Sequence, residues 1–269
     1  MSIHIVKSAD TTSGKSFISN VNSILALDSD EPAKRVAFDC EGITLSRLGT
    51  VEIISICFPT LDVFLVDFGG TPCPQILKSV TELFESETVT KVIHDCRMDC
   101  DALYHLHGIQ VNNVHDTSCF HIVEDSNLNE VLSYNGISVN TARDKSVYKR
   151  NPRFWSARPL TTTMVEWASS DVKSLFALED AQLSHITSAS KSAAMAKSTQ
   201  YSRICGMKVC TGLSVRNPGL FIGLRGQKIR SLQNQTGTLI YQDKVSGDKW
   251  FVFYNNDASL DSVKRRMSM

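Results

Sequence analysis

Apolar and polar positions near the N-terminus predict a short strand at 3–6, an amphipathic helix at 17–27 and then three strands. The three strand-like runs, at 35–38, 51–58 and 63–66, are rich in β-branched and aromatic residues. Turn-forming Gly, Pro and Asp residues separate the runs, so their connections are short. Three strands in such close succession favour an antiparallel meander.

Between residues 75 and 183 the pattern alternates between helices and strands. Helical periodicity appears at 75–84, 99–106 and 162–183, and short apolar strands lie at 91–94 and 108–114. Paired strands followed by strands that helices separate are typical of a mixed sheet covered by helices. The prediction for this part of the chain is therefore an α/β domain.

Residues 186–203 differ in composition from the segments around them. Ser, Ala, Lys and Thr dominate and large apolar residues nearly vanish, so we interpret 187–205 as a linker, or a helix that runs into one. Beyond it, strands flank a helix at 227–235. We therefore expect a large domain over 1–186, a linker over 187–205 and a small α+β domain over 206–269.

The charged residues divide the chain in a similar way. Over all 269 residues, 28 Lys and Arg balance 28 Asp and Glu, and that neutrality alone argues against a simple basic nucleic-acid binder. Residues 1–200, however, carry 17 basic and 24 acidic side chains, whereas residues 201–269 carry 11 and 4. Formal charges of −7 and +7 indicate two modules with different partners.

Neither a membrane span nor a secretion signal is visible. No apolar run approaches the ~20 residues that cross a bilayer, and no basic segment followed by an apolar one opens the chain. We therefore expect an intracellular protein, cytoplasmic or nuclear, whose eight cysteines are reduced thiols. His94, Cys96 and Cys100 lack the paired C-x-x-C spacing of structural zinc sites, so zinc is not expected.

Two acids close an apolar strand at Val36-Ala37-Phe38-Asp39-Cys40-Glu41. Alternation along a strand puts Asp39 and Glu41 on the same face, close enough to repel each other. Two carboxylates beside a core cost free energy unless a cation neutralises them, and Mg²⁺ and Mn²⁺ prefer such oxygen ligands. By itself, however, D-x-E is a weak signal, because acids that face solvent at a strand end are common.

Two further aspartates strengthen the metal hypothesis. Asp99 follows the strand at 91–94 and opens a helix, and Asp171 lies on the apolar stripe of the helix at 162–183. An aspartate on that stripe is a buried charge. It either forms an ion pair, for which Arg97 or Lys173 is available, or binds a metal.

Four motifs now make a family resemblance specific. D-C-E-G at 39–42, K-V-I-H-D-C-R-M-D at 91–99, W-x-x-R-P-L-T at 155–161 and W-A-S-S-D-V at 167–172 follow in the order of the DEDD 3′–5′ exonucleases. The chain resembles the ribonuclease D branch, and most closely exonuclease-domain proteins related to Egalitarian, from about residue 3 to 183. The resemblance implies a ribonuclease H-like mixed sheet with flanking helices.

The resemblance also implies a site and a reaction. Asp39, Glu41, Asp99 and Asp171 would hold two divalent metal ions, Mg²⁺ or Mn²⁺. Asp39 would bridge the ions, Glu41 and Asp171 would complete one position, and Asp99 would hold the second, directly or through water. The expected activity is release of nucleoside 5′-monophosphates from the free 3′ end of single-stranded RNA or DNA.

The chain departs from this branch at Trp167, where the family has a tyrosine whose hydroxyl orients the attacking water. An indole N–H donates a hydrogen bond but accepts none, so it cannot replace that hydroxyl. We therefore expect Trp167 to attenuate catalysis. The alternative function is that of an RNA-binding adaptor with a weak or inactive nuclease fold.

A glycine-bounded turn near the C-terminus predicts a second site. Gly223-Leu224-Arg225-Gly226 opens a helix, and its exposed backbone N–H groups together with Arg225, Lys228 and Arg230 favour a phosphate. The run I-G-x-x-G-x-x-I resembles the type I KH domain, which clamps a short single strand. The resemblance implies a KH RNA-binding domain over about 207–267, although an ordinary glycine-bounded helix start has the same pattern.

Other patterns receive simpler interpretations. Residues 9–16 fit a permissive phosphate-loop pattern ending in Lys15, with Asp67 as a second acid, but the loop holds one glycine and we reject an NTPase. Trp155 and Arg158 line a substrate groove or simply pack. His94 is expected to make a structural hydrogen bond, and Asp116 to cap the helix after it.

Overall fold

The computed structural model describes residues 2–122, 126–144, 146–184, 186–243 and 245–269. The chain divides into two compact units, Met1–Cys205 and Gly206–Met269. Among the described residues, no helix combines the length and apolar character needed to span a membrane.

The first unit is built on a six-stranded mixed sheet in the order β1-β4-β3-β2-β5-β6. The consecutive strands β2, β3 and β4 pair antiparallel, as the meander predicts, and the other neighbours pair parallel. The α/β fold with a mixed sheet is thereby confirmed. The strands are β1 (Ile3–Val6), β2 (Arg35–Glu41), β3 (Ile53–Cys57), β4 (Val63–Asp67), β5 (Thr90–Ile93) and β6 (Val114–Asp116).

Helices cover both faces of this sheet. They are α1 (Thr12–Ala26), α2 (Pro74–Glu85), α3 (Arg97–His107), α4 (Leu128–Tyr134), α5 (Val147–Arg150), α6 (Thr162–Ser184) and α7 (Ser188–Ser202). Val36, Phe38 and Cys40 of β2 pack into the apolar cluster that contains α1, α2 and α3. Ala37 faces the opposite cluster, which contains α4 and α6. Strand alternation therefore directs Asp39 and Glu41 toward the α6 side.

The segment expected to be a linker is instead the helix α7, packed within the first unit. Thr187 caps its N-terminus, and Ala194, Ser198 and Ser202 are buried. The Ser198 hydroxyl accepts a hydrogen bond from the backbone N–H of Asp116 on β6. Small residues spaced four apart form a face that packs closely, and the same small polar residues gave the segment its linker-like composition.

The second unit is a small α+β fold with an antiparallel three-stranded sheet in the order β7-β9-β8. Its core contains Phe221, Trp250 and Val263. A short 3₁₀ turn, Leu224–Gly226, precedes the second helix. The elements are β7 (Lys208–Ser214), α8 (Pro218–Ile222), α9 (Gln227–Thr236), β8 (Leu239–Gln242), β9 (Lys249–Tyr254) and α10 (Asp257–Met267).

Candidate active site

Three of the four predicted acids meet at the end of β2. Asp39 and Glu41 project from β2 toward α6, and Asp171 projects from the middle of α6. One carboxylate oxygen from each residue lies within 4.8 Å of the others. Among the described residues, this trio is the group of His, Cys, Asp or Glu side chains whose ligand atoms lie close enough together to hold a metal ion. His94, Cys96 and Cys100 do not form such a group.

The surroundings of the trio disfavour three negative charges. Glu41 and Asp171 are buried and Asp39 is partly buried. Burial raises the pKa of Asp39 well above its ordinary value, and the charges of Glu41 and Asp99 raise it further. Burial also raises the pKa of Asp171, although Arg143 and two hydrogen bonds oppose the shift. Because the carboxylates are oxygen ligands that repel one another, their arrangement fits a hard divalent cation.

Asp99 lies beside the trio rather than within it. It is buried in the first turn of α3, and its Oδ1 accepts a hydrogen bond from the backbone N–H of Cys40 over 2.9 Å. Burial raises its pKa to about 7. The hydrogen bond ties Asp99 to the strand residue between Asp39 and Glu41, so all four acids face one region.

Two side chains fix the orientation of Asp171. The indole Nε1 of Trp167 donates a hydrogen bond to Oδ2 at a distance of 3.0 Å, and Nδ2 of Asn140 donates one to Oδ1 at 2.9 Å. Asn140 also donates to the backbone carbonyl of Trp167 over 3.0 Å. Asn140 comes from the loop after α4 and was missed by the sequence analysis, because no motif or periodicity marks it.

The cation facing Asp171 is Arg143, rather than the candidates Arg97 and Lys173. Nη1 of Arg143 lies 3.4 Å from Oδ2 of Asp171, whereas Arg97 pairs with Asp95. Arg143 belongs to the same loop as Asn140. It too was missed, because loop conformation brings it to α6 from 28 residues away in sequence.

Trp167 is part of the core. Only 2% of its surface is exposed, and its ring packs edge-on against Trp155 with centroids 5.5 Å apart. Its single N–H is taken up by Asp171. In this arrangement the residue supplies no group that accepts a hydrogen bond from water.

The W-x-x-R-P-L segment packs rather than lining a groove. Trp155 is buried, and Arg158 grips Asp67 through Nε and Nη2, with a shortest distance of 2.6 Å. Nη2 of Arg158 also donates to the backbone carbonyl of Glu52 over 3.0 Å. This ion pair explains Asp67 without an NTPase.

The phosphate-loop-like segment also has a structural explanation. A Cβ at Gly14 would lie 1.9 Å from the carbonyl oxygen of Ser8, so close backbone approach requires glycine there. Thr11 caps α1 by accepting from the N–H of Gly14. Lys15 is exposed on the helix surface.

His94 makes the structural hydrogen bonds expected of it. Its ring nitrogens lie 2.9 Å from Thr117 Oγ1 and 2.9 Å from the carbonyl oxygen of Ser126. The expectation for Asp116 is wrong. Its carboxylate accepts from the N–H groups of Asp95 and Cys96 and from the N–H of Ser118. It therefore holds the start of α3 and a turn after β6, rather than capping a helix.

In the second unit, the predicted glycine-bounded turn precedes α9. Gly223 and Gly226 have φ values of 73° and 79°, a backbone conformation that favours glycine. The Leu224 side chain between them is 78% exposed. The side chain of Lys228 lies against Gly223, and that of Arg230 lies against Gly226. A Cβ added at either glycine would lie 2.7 Å from the neighbouring side chain. The turn therefore places the exposed Leu224 and Arg225 beside clustered positive charge, whereas the N–H groups of Gly223 and Gly226 donate to the carbonyls of Gly219 and Gly223.

Comparisons with known proteins agree with the fold of the first unit. The family model described as 3′–5′ exonuclease matches residues 20–185. Ribonuclease D of Nitrobacter hamburgensis is 31% identical over 112 residues, which cover 40% of this chain but only 28% of that protein.

Solved structures show the same fold at lower identity. RNase D of Trypanosoma brucei superposes with a TM-score of 0.61 at 20% identity, covering 76% of this chain and 72% of its own. NrnC of Brucella melitensis with bound Mg²⁺ has a TM-score of 0.53 at 18% identity, covering 75% of this chain and 88% of its own. Because the family model spans more than half of the sequence, the chain belongs to the 3′–5′ exonuclease family.

Proposed function

We propose that the first unit is a metal-dependent 3′–5′ exonuclease that releases nucleoside 5′-monophosphates from single-stranded nucleic acid, RNA above all. The observation that carries the proposal is the convergence of Asp39, Glu41 and Asp171 within 4.8 Å in a chain of this family. Two relatives support the substrate class: RNase D of T. brucei has been solved with the RNA U12, and NrnC of B. melitensis with pGG.

The four acids would hold two divalent ions, Mg²⁺ or Mn²⁺. Asp39, Glu41 and Asp171 would hold one ion, and Asp39 and Asp99 would hold the second. When bound, such ions activate a water and stabilise the departing 3′ oxygen. Asn140 and Trp167 hold the Asp171 carboxylate in place, and each of its oxygens retains a lone pair beyond the one that accepts their hydrogen bond.

Trp167 would make this nuclease slow. The indole N–H is bound to Asp171 and the ring is buried, so the residue does not orient water as the tyrosine of related enzymes would. The same contact favours the second candidate function, an RNA-binding adaptor that keeps the nuclease fold.

Digestion of a 3′-labelled single-stranded RNA tests the proposal. The wild type should release mononucleotides with Mg²⁺ or Mn²⁺ and none with a chelator, and Asp39→Asn should lose the activity. Asp30→Asn, at an exposed acid, is the matched control. Equal digestion by wild type and Asp39→Asn would overturn the nuclease, and RNA binding without metal-dependent digestion would support the adaptor. Trp167→Tyr should raise the rate.

We propose further that the second unit is a type I KH domain that binds the strand. Its order β-α-α-β-β-α, with the glycine-bounded turn between its first two helices, supports this assignment. Leu224 and Arg225, between Gly223 and Gly226, would present backbone N–H groups and an exposed edge to the phosphates, because the N–H groups of the two glycines donate to the carbonyls of Gly219 and Gly223. Lys228 and Arg230 add charge, and RNA affinity should fall as salt rises.

Fluorescence anisotropy with a labelled single-stranded RNA, in chelator to prevent digestion, tests the second unit. Leu224→Asp combined with Arg225→Asp leaves both glycines in place and should abolish most of the binding. Arg265→Asp with Met269→Asp makes the same change of charge at exposed residues outside the turn and should lower affinity less. Equal affinity in the two double variants would refute the role of the turn.

A further inference from the structure

Arg143 directs a positive charge into the carboxylate cluster from the loop between α4 and α5. Its Nη1 lies 3.4 Å from Oδ2 of Asp171, and its charge also lowers the pKa of Asp39. We propose that Arg143 exchanges the Asp171 carboxylate for a phosphate oxygen of the substrate when divalent cations occupy the cluster. The inference rests on the proposed nuclease function and adds a residue that contacts substrate.

Asp171 does not depend on Arg143 for its orientation. Trp167 and Asn140 hold its two oxygens at hydrogen-bond distances of 3.0 and 2.9 Å. The separation of 3.4 Å from Arg143 exceeds the roughly 2.7–2.9 Å of a strong charge-assisted hydrogen bond. The guanidinium therefore contributes charge near Asp171 rather than a tight bond, and the carboxylate keeps its two other donors when that charge is withdrawn.

The position of Arg143 suits an anionic ligand. Its side chain is 22% exposed, whereas that of Asp171 is 2% exposed, so the guanidinium lies between the buried acids and solvent. Guanidinium stays charged at any working pH, and its planar donors match the geometry of a phosphate. Divalent cations would neutralise the acids that attract Arg143, and a phosphodiester brought to them would present new negative oxygens beside it.

Calorimetry on the full chain tests this with two probes, Mn²⁺ alone and adenosine 5′-monophosphate added to the Mn²⁺-loaded protein. Arg143→Gln should bind Mn²⁺ at least as tightly as the wild type, because a repelling charge is removed. It should bind the monophosphate about tenfold or more weakly, because a charge-assisted contact is lost. Arg143→Lys keeps the positive charge but loses the paired guanidinium donors, so its affinity for the monophosphate should lie between those of the wild type and Arg143→Gln. Arg153→Gln, at an exposed arginine, should match the wild type.

Two results would overturn the role of Arg143. Unchanged affinity of Arg143→Gln for the monophosphate would remove it from the substrate site. Weaker Mn²⁺ binding by the same variant would mean that Arg143 merely orients Asp171. If Arg143→Gln fails to fold, Arg143→Lys carries the same comparison. Failure of the wild type to bind Mn²⁺ would overturn the proposed function as well, so the two failures are distinct.

Discussion

The indole nitrogen of Trp167 donates a hydrogen bond to Oδ2 of Asp171 over 3.0 Å, one turn further along α6. This i, i+4 contact joins a core aromatic residue to an acid of the carboxylate cluster. The ring of Trp167 packs against Trp155, and its single N–H group anchors that acid to the aromatic core. This hydrogen bond therefore joins the aromatic core to the candidate active site.

Replacing Trp167 by Phe should affect stability and metal binding together. The variant loses a buried hydrogen bond and part of a well-packed ring, which should cost about 2–4 kcal/mol in urea unfolding. Mn²⁺ affinity, measured by calorimetry, should also fall because Asp171 loses a donor. Trp155→Phe, in the same aromatic cluster, should cost comparable stability but leave Mn²⁺ affinity largely intact. Equal Mn²⁺ affinity in the two variants would contradict the coupling.

Stability of the metal-free protein should depend on the ionisation of Asp99. Burial raises its pKa from an ordinary 3.8 to about 7, so between these values the folded protein binds a proton that the unfolded chain has released. The stabilisation that the protonated Asp99 carboxyl gives the folded state is complete below pH 3.8, and it is lost as the pH rises through about 7.

Asp99→Asn should remove the part of the pH dependence that Asp99 contributes, whereas Asp39 and Asp171, whose pKa values burial also raises, keep their own contributions. In chelator it should be more stable than the wild type above pH 7, by no more than about 4 kcal/mol, and the difference should vanish near pH 4. Urea unfolding across this pH range measures it. Asp30→Asn, at an exposed acid, should show no such trend. A constant difference between Asp99→Asn and wild type at all pH values would rule out the ionisation of Asp99 as its source.

The ion pair between Arg158 and Asp67 should stabilise the first unit. Arg158 bonds Asp67 through two nitrogens, and their side chains are 24% and 10% exposed. Arg158→Lys loses the fork and should cost about 1–3 kcal/mol in urea unfolding. Arg153→Lys, five residues earlier and exposed, should cost less than about 0.5 kcal/mol. Comparable losses in the two variants would show that the pair contributes little.

Gly14→Ala and Lys15→Ala should separate structure from nucleotide chemistry in the segment at 9–16. Any Cβ at Gly14 meets the Ser8 carbonyl at 1.9 Å, so Gly14→Ala should lower the melting temperature strongly. Lys15 is exposed, and Lys15→Ala should leave both melting and RNA digestion near wild type. Loss of digestion in Lys15→Ala with unchanged melting would instead assign that lysine a functional role.

Much of the site could be predicted from sequence because its acids lie in regular elements. Strand alternation places Asp39 and Glu41 on one face, and helical periodicity places Asp171 on the buried stripe of α6. Both periods are properties of local backbone geometry, so they survive without knowledge of the fold. The same reasoning predicted the antiparallel meander of β2, β3 and β4.

Tertiary structure alone decided the contacts made by loops and by packed surfaces. Asn140 and Arg143 reach Asp171 because the loop after α4 folds over α6, and no sequence period records that path. Asp116 bonds to Asp95 and Cys96 across neighbouring parallel strands, and α7 packs through small residues that resemble a linker. Sequence by itself therefore determined which acids face the same side of the sheet. Tertiary packing between segments distant in sequence decided that Arg143 is the cation and Asn140 a donor that contact Asp171.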